Sequence, residues 1–239
     1  TMYTATTRPN IIMKGGNREG GDRADRELVT IGGGSTGQVA IPCNFIWAYG
    51  ENQMILTADE IGTAGNIMSV AYLRHSEGSG SPETRNIDIY MKHITVDSYS
   101  STADWIPVSA SDLVFSGNHA FETVGNDFQA IELQTPFAYN GTDNLLICIN
   151  DKTGYTGTRQ YWSIHDTPVA RSIRVWGNNS MFDPTQAGTP VGGSSLTGAW
   201  VADIQLNITS GGNGGNGGNG SNDGITIPRG TYYLVASST

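Results

Sequence analysis

The sequence predicts an all-β protein, and three of its features indicate a sandwich of packed sheets. In the segment 85–94, Ile87, Ile89 and Met91 alternate with more polar residues, which is the period of a strand buried on one face. In the segment 144–150, Leu146 and Cys148 make the strand apolar on both faces, as in the middle of a packed sheet. Charged residues are only 15% of the chain, and its 32 glycines suit many short strands joined by tight turns.

Strands and turns alternate from residue 27 to about residue 209, a length that one large all-β domain can occupy. A single helical turn is expected in the segment ADEIG, directly after Thr57, and no longer stretch has helical periodicity. The candidate strands are 27–31, 44–49, 53–57, 66–75, 85–94, 112–116, 127–133, 144–150, 160–165, 172–176 and 201–208.

Each end of the chain carries a β-capable segment joined to this domain by a glycine-rich stretch. The sequence divides into an N-terminal arm and linker (1–26), the sandwich (27–209), a Gly/Asn-rich tether (210–224) and a C-terminal strand or hairpin arm (225–239). A lone hairpin is marginal in water, so the C-terminal arm is expected to pair with a sheet edge. That edge belongs either to its own sandwich or to a neighbouring subunit, as in donor-strand exchange. The residues expected to form such an inter-subunit strand are Ile225, Ile227, Tyr232, Tyr233, Leu234 and Val235.

Several motifs resemble a β-sandwich repeat of secreted and surface proteins of Bacteroidetes, akin to the cleaved-adhesin domains of gingipain and haemagglutinin proteins. They are ELVTIGGG, QMILTADEIG, RNIDIYMKHI, DWIPVSASDLVFSG, TPFAYNGTDNLLICINDKTG, RSIRVWGN and ADIQLNIT. In addition, TIPRGTYYLV resembles a strand pair of a pre-peptidase C-terminal domain. The resemblance implies a non-catalytic module beside other extracellular domains. We expect a sandwich of jelly-roll or galactose-binding-like type, with a β-strand arm at each end.

Charge and hydropathy restrict the partners and the location. The net charge of −9 argues against nucleic acid and anionic membrane surfaces as partners, since both require clustered Lys and Arg. No apolar run approaches the roughly 18 residues of a membrane span, so none is expected. We expect a secreted or cell-surface protein in its mature, trimmed form.

The two cysteines, Cys43 and Cys148, allow two interpretations. In an exported chain they could form a disulfide that closes a loop of about 105 residues. Alternatively, Cys148 lies within LLICI and serves as a small buried hydrophobic residue.

The sequence offers little for catalysis or metal binding, and we expect no enzyme and no cofactor. The pair His165–Asp166 could form half of a hydrolytic constellation, but no GxSxG motif accompanies it. Oxygen ligands for a structural calcium ion occur at 150–154 and around Asn140 and Asp143, without a DxDxDG loop.

Exposed aromatic residues would instead suit a glycan. Trp176 opposes the face of Ile173 and Val175, and Tyr155 lies in the glycine-rich turn KTGYTGT, so both are candidate stacking residues. Trp47 and Trp105 are expected in the core.

The sequence therefore predicts a non-enzymatic structural or adhesive module of the cell surface. It would associate with copies of itself, by strand addition into an extracellular filament, or with neighbouring β domains. The alternative is a carbohydrate-binding module of a larger surface protein that recognises a glycan or another ligand on a host surface.

Overall fold

The structure, a computed structural model, describes residues 26–33, 36–38, 41–75, 82–122, 127–188, 190 and 192–209. Within them a four-residue helix, α1 (Ala58–Ile61), and a 3-10 turn (Ala110–Asp112) accompany thirteen strands. The strands are β1 (Arg26–Ile31), β2 (Thr36–Gln38), β3 (Tyr49–Leu56), β4 (Gly65–Leu73), β5 (Glu83–Ile94), β6 (Leu113–Phe121), β7 (Phe128–Tyr139), β8 (Asn144–Asp151), β9 (Trp162–Asp166), β10 (Ser172–Gly177), β11 (Ser194–Gly198), β12 (Trp200–Ala202) and β13 (Ile204–Thr209).

The strands form an antiparallel sandwich. A four-stranded sheet, in the order β1-β13-β4-β7, faces a six-stranded sheet in the order β11-β10-β3-β8-β5-β6. A three-stranded sheet, β12-β9-β2, joins the four-stranded sheet through a bridge between Arg74 and Trp162. The inter-sheet core takes Val70 and Leu206 from one sheet and Ile89 and Ile147 from the other. The all-β sandwich predicted from the sequence is confirmed, while the jelly-roll or galactose-binding-like type stays a prediction.

The central strands of the six-stranded sheet are buried on both faces. Its second face carries an outer cluster in which the long connection between β5 and β6 covers the sheet with Tyr99, Trp105 and Val108. Phe182, from the connection between β10 and β11, completes this cover. Because Cys148 belongs to the outer cluster while its neighbours in β8 face the inter-sheet core, a strand apolar on both faces is the correct pattern for this position.

Three segments differ from the expectation. Residues 44–48 form a turn and bends rather than a strand, and the N–H of Trp47 donates to the carbonyl of Asn44 at 3.1 Å. The polar strand β11 was not predicted. The expected strand 201–208 is divided at Asp203, whose N–H bonds to the carbonyl of Ser163 at 2.9 Å in the neighbouring strand.

The cysteines do not form the disulfide that the sequence allowed. Both thiols are free and buried. Cys43 packs in the inter-sheet core, whereas Cys148 lies on the opposite face of the six-stranded sheet, in the outer cluster. Burial raises the pKa of both thiols well above the ordinary value.

The arms expected at 1–26 and 225–239, with the tether 210–224, lie outside the described residues except for Arg26, which opens β1. Arg26 pairs in register with Thr209, so the chain enters and leaves the described domain at one corner of the four-stranded sheet. No helix among the described residues has the length and apolar character needed to cross a lipid bilayer.

Candidate functional site

An open groove lies where β10 ends and β11 begins, and two tryptophans line it. We call it the aromatic groove. Its volume is about 390 Å³, within the range of small-molecule sites. Its lining carries indole rings, amides, a hydroxyl and glycine backbone but no carboxylate: Trp47, Trp176, Gly177, Asn178, Asn179, Gly192, Gly193 and Ser194.

Strand geometry places Trp176 on the groove. Ile173 and Val175 point into the outer cluster, so the period of two turns Trp176 to the other face of the sheet, as the sequence indicated. Its register partners are Gly50 of β3 and Ser194 of the edge strand β11. Because these neighbours are small, the half-buried indole stays accessible from the groove.

Glycines shape the opposite wall. Gly192 has φ +91°, a left-handed conformation that side chains rarely adopt. A Cβ on Gly193 would stand 2.6 Å from Cγ2 of Val175 and 2.7 Å from Cζ of Phe182. The chain therefore passes close over the end of β10 only because these two positions carry no side chain.

Trp47 reaches the groove from the turn 44–47, and hydrogen bonds hold that turn to the remainder of the site. The side-chain Oδ1 of Asn178 accepts the N–H of Ala48 at 3.0 Å, which ties the two tryptophan-bearing segments together. The carbonyl of Trp47 accepts a bond of 2.8 Å from Nη2 of Arg85. These hydrogen bonds fix both rims of the groove, an arrangement that would reduce the entropy lost by a ligand binding there.

A buried ion pair stands behind the Trp47 turn. Arg85 is fully buried, and its Nε and Nη2 donate to Oδ2 of Asp151 at 3.0 and 2.7 Å. The guanidinium also stacks over Phe45, 5.2 Å from the ring centroid. Breaking such a pair leaves an uncompensated buried charge, so the pair strongly fixes the position of the turn it supports.

Arg174 lies next to Trp176 on the same face of β10. Its guanidinium carbon is 5.7 Å from the ring centroid of Trp176 and 4.7 Å from that of Trp200. Burial lowers the pKa of Arg174 to about 10, so the group stays charged at neutral pH. Arg174 thus places a positive charge against two indoles, of which that of Trp176 lines the groove.

Tyr155, the second candidate for glycan stacking, is not among the groove residues. Its side chain is 52% exposed, but the hydroxyl donates to the carbonyl of Thr84 at 2.5 Å and the ring lies over Arg85 at 5.5 Å. The structure thus separates the two candidates and brings Trp176 together with Trp47, which the sequence assigned to the core. Trp105 is buried in the outer cluster as expected.

The oxygens considered for calcium are used within the protein. Oδ2 of Asp151 accepts from Arg85, and Oδ1 accepts the N–H of Thr153 at 3.0 Å. Oδ2 of Asp143 accepts a bond from Nδ2 of Asn140 at 2.7 Å. Within the described ranges, no cluster of three or more His, Cys, Asp or Glu side chains could hold a metal ion.

His165 pairs with a different acid from the one that the sequence suggested. Its Nδ1 lies 2.9 Å from Oδ1 of the buried Asp203, not next to Asp166. The backbone of Gly32 packs directly against this pair, and a Cβ at that position would collide with the carboxylate of Asp203. The pair lies where β1, β9 and β13 meet, and neither residue lines the groove.

Sequence reasoning missed Trp47, Asn178 and Arg174. The one local signal was the turn sequence WGNN after a strand, which places two amides beside a tryptophan. The residues that complete the groove are distant in sequence, and only the folded sheet brings them together.

In comparisons with known proteins, the chain matches neither a protein-family model nor a curated protein. The resemblance to cleaved-adhesin and pre-peptidase C-terminal domains therefore stays a prediction.

Proposed function

We propose that this chain is a non-enzymatic, secreted or cell-surface adhesive module that binds glycans through the aromatic groove. The observation that carries the proposal is the pairing of Trp47 and Trp176 in one open cleft lined by amides and free of carboxylates. Indole faces are electron-rich and attract the polarised C–H groups of a sugar ring. The side chains of Asn178 and Asn179 supply amide donors and acceptors for hydroxyl groups.

Preorganisation supports the same conclusion. Asn178 joins the two rims of the groove, and the buried pair of Arg85 and Asp151 supports the Trp47 turn. A rigid aromatic surface with few polar groups is typical of binding sites that select ligands by shape.

A glycan array followed by calorimetry tests the proposal. Trp176→Ala and Trp47→Ala should each reduce the affinity for any glycan bound by about tenfold or more, as central aromatic truncations do. Leu28→Ala is the control, since it removes an exposed apolar side chain from β1, outside the groove, and should leave binding unchanged. Binding that survives loss of both tryptophans would contradict the proposal.

A second candidate function is self-assembly by strand addition. Strand β1 forms an edge of the four-stranded sheet, and Leu28 on it is 65% exposed. An edge strand with an exposed apolar side chain can accept a further strand from another molecule. Both predicted arms join the domain at this corner.

Negative-stain electron microscopy across a concentration series distinguishes the second candidate. Regular fibres from the full chain, lost on removal of residues 210–239, would support donation of the C-terminal arm. Fibres that persist after this truncation would exclude the C-terminal arm as donor. Dispersed monomers at every concentration would leave glycan binding as the sole candidate.

A further inference from the structure

Phe182 covers the part of β3 that carries Glu51. The register partners of Glu51 in the six-stranded sheet are Val175 of β10 and Asn150 of β8. The carbonyl of Phe182 accepts a hydrogen bond of 3.1 Å from Nδ2 of Asn150. The tip of its ring lies beside Val175, because a Cβ on Gly193 would stand 2.7 Å from Cζ of Phe182 and 2.6 Å from Cγ2 of Val175. Phe182 therefore crosses the sheet over Glu51, between the two neighbouring strands.

Two buried acceptor atoms lie under this cover without a partner. The side chains of Glu51 and Asn150 are 2% and 3% exposed, and neither Oε2 of Glu51 nor Oδ1 of Asn150 has a hydrogen-bond partner among the described residues. Residues paired across antiparallel strands have Cβ atoms roughly 5 Å apart on one face, so these two side chains are neighbours. A protonated carboxyl carries an O–H donor, whereas a carboxylate only accepts. The neutral form of Glu51 therefore suits this site and the ionised form does not.

Titratable groups face Glu51 from several elements, and among the described residues none of them is a cation. They are Cys148 of β8, Tyr90 of β5, Tyr99 of the connection between β5 and β6, and Asp183 next to Phe182. From β10 the neighbour is the apolar Val175, while Arg174 points to the opposite face. Hydrogen bonds from Thr185 lower the pKa of Asp183, so this carboxylate stays charged at neutral pH. Burial raises the pKa of the other three groups, so Glu51 is the member of this set that titrates near neutrality.

The segment 178–188 carries Phe182 and also contributes to the aromatic groove. Asn178, at its start, lines the groove. Further along, the carbonyl of Pro184 accepts the N–H of Val108 at 3.0 Å. Phe182 and Pro184 together hold the middle of the segment against the outer cluster. Release of this attachment would therefore free a chain segment that forms one wall of the groove.

We propose that Glu51 regulates the shape of the aromatic groove, because its neutral form holds Phe182 against the sheet and its ionised form releases the segment 178–188. A buried carboxylate without a partner needs water, and lifting Phe182 admits water to Glu51. Asp183 carries a like charge on the segment itself, so repulsion acts in the same direction. The segment is thus attached in acid and released in alkali. Its effect on glycan binding rests on the proposed function, whereas the release itself can be measured without a ligand.

Amide hydrogen exchange of the full-length protein at pH 5 and pH 8, corrected for intrinsic exchange, measures the release. The N–H of Val108 reports it, since this group donates to Pro184 of the segment. Burial raises the pKa of Glu51 from 4.5 to about 7, so an opening that exposes Glu51 should become more favourable by at most about seventyfold between these pH values. We expect the protection of Val108 to fall by about tenfold or more. It should also stay below that of Leu206, which is buried in the interior strand β13 and reports global unfolding.

Three variants assign the fall in protection. Glu51→Gln should keep the protection of Val108 within about twofold between the two pH values, because the amide has a similar shape and cannot ionise. Glu132→Gln, at an exposed position on β7, is the matched control and should behave as the wild type. Phe182→Ala removes the attachment, so Val108 should be weakly protected at both pH values while Leu206 still shows that the protein is folded.

Each other result would overturn the proposal. Equal protection of Val108 and Leu206 at pH 8 would mean that the segment leaves only when the whole domain unfolds. A fall that persists in Glu51→Gln would assign the effect to another group. If Glu51→Gln does not fold, Phe182→Ala decides, since a pH dependence that it retains would exclude Phe182 as the attachment. None of these measurements requires a glycan, so release of the segment and glycan binding can fail independently.

Discussion

Replacing Glu51 with Gln should make the protein more stable at alkaline pH and hardly affect it at acidic pH. Glu51 lies in the middle of β3 and is 2% exposed. Its Oε1 has only long contacts, 3.5 Å from Nε2 of Gln53 and 3.7 Å from Sγ of Cys148. Its Oε2 has no partner among the described residues. Burial raises the pKa of Glu51 to about 7, and the negative charge of Asp183 adds to this effect.

The sign and size of the stability change follow from the pKa values of Glu51 in the unfolded and folded states. The ordinary pKa is 4.5 and the folded value is about 7, so the folded protein binds more protons than the unfolded chain between these limits. Stability therefore falls as pH rises through this window, and the loss is complete above pH 7. At about 1.36 kcal/mol per pH unit, ionised Glu51 destabilises the fold by roughly 3 kcal/mol. Gln fills nearly the same volume and cannot ionise.

Urea unfolding at pH 5 and pH 8.5 measures the effect. The gain in unfolding free energy for Glu51→Gln over the wild type should be roughly 3 kcal/mol at pH 8.5 and below about 1 kcal/mol at pH 5. Any change in packing is independent of pH, so only the difference between the two gains reports ionisation. Glu27→Gln, an exposed position on β1, is the control. An equal gain at both pH values would refute the reasoning.

Further predictions concern Gly32, the two thiols and the partly buried ion pair of Glu60 with Arg171. Gly32 has φ +92°, and a Cβ there would collide with Asp203, so Gly32→Ala should destabilise the fold by roughly 2–5 kcal/mol in thermal unfolding. Gly33 has φ +145° but no neighbour within 4 Å of an added Cβ, so Gly33→Ala should cost only the backbone strain. Both cysteines should resist a thiol reagent until the protein is denatured, then titrate as two thiols without a reductant; a disulfide detected by mass would contradict this. Glu60 accepts hydrogen bonds from Arg171 at 2.7 Å and from the N–H of Thr57, the helix N-cap, at 2.9 Å. Although burial opposes the shift, these bonds lower the pKa of Glu60 to about 2. Glu60→Gln should therefore lose about 2 kcal/mol of unfolding free energy at pH 7 and much less as the pH falls to 2, as measured by denaturant unfolding.

The sequence predicted most of the strands because the burial of alternate side chains leaves a readable pattern. In β5, Ile87, Ile89 and Met91 all face the inter-sheet core, as their spacing indicated. The turn of helix after Thr57 was also correct, since a capping box and a left-handed Gly62 define its two ends. Strand periodicity and helix capping can be predicted from the sequence because each depends on residues close together in the chain.

The alternation of apolar and polar residues failed to predict strands whose burial does not follow that alternation. β3 contains a fully buried polar stretch from Glu51 to Gln53, because the outer cluster covers a face that two-layer reasoning leaves to solvent. The strand β11 has few apolar residues and is a strand only through pairing with β10. Neither fact is visible in the periodicity of the residues concerned.

The groove was only half predictable. The position of Trp176 follows from strand period, but its neighbour Trp47 is more than a hundred residues earlier in a segment expected to be a strand. That segment turns because Arg85 and Asn178 bind its backbone, and both contacts are long-range. A site assembled from turns that distant hydrogen bonds hold cannot be derived from local sequence patterns.

Phe182 attaches the loop between β10 and β11 to the outer cluster, away from the groove. The loop lines the groove at both ends, while Phe182 packs in the outer cluster and its carbonyl accepts Nδ2 of Asn150 at 3.1 Å. The residue that anchors the loop, Phe182, is therefore different from the loop residues that line the groove. Loop positions that line the groove, such as Asn179, lie outside the strands, so substitutions there could change a binding specificity with little effect on the sheet, and a designer could vary them on an unchanged scaffold.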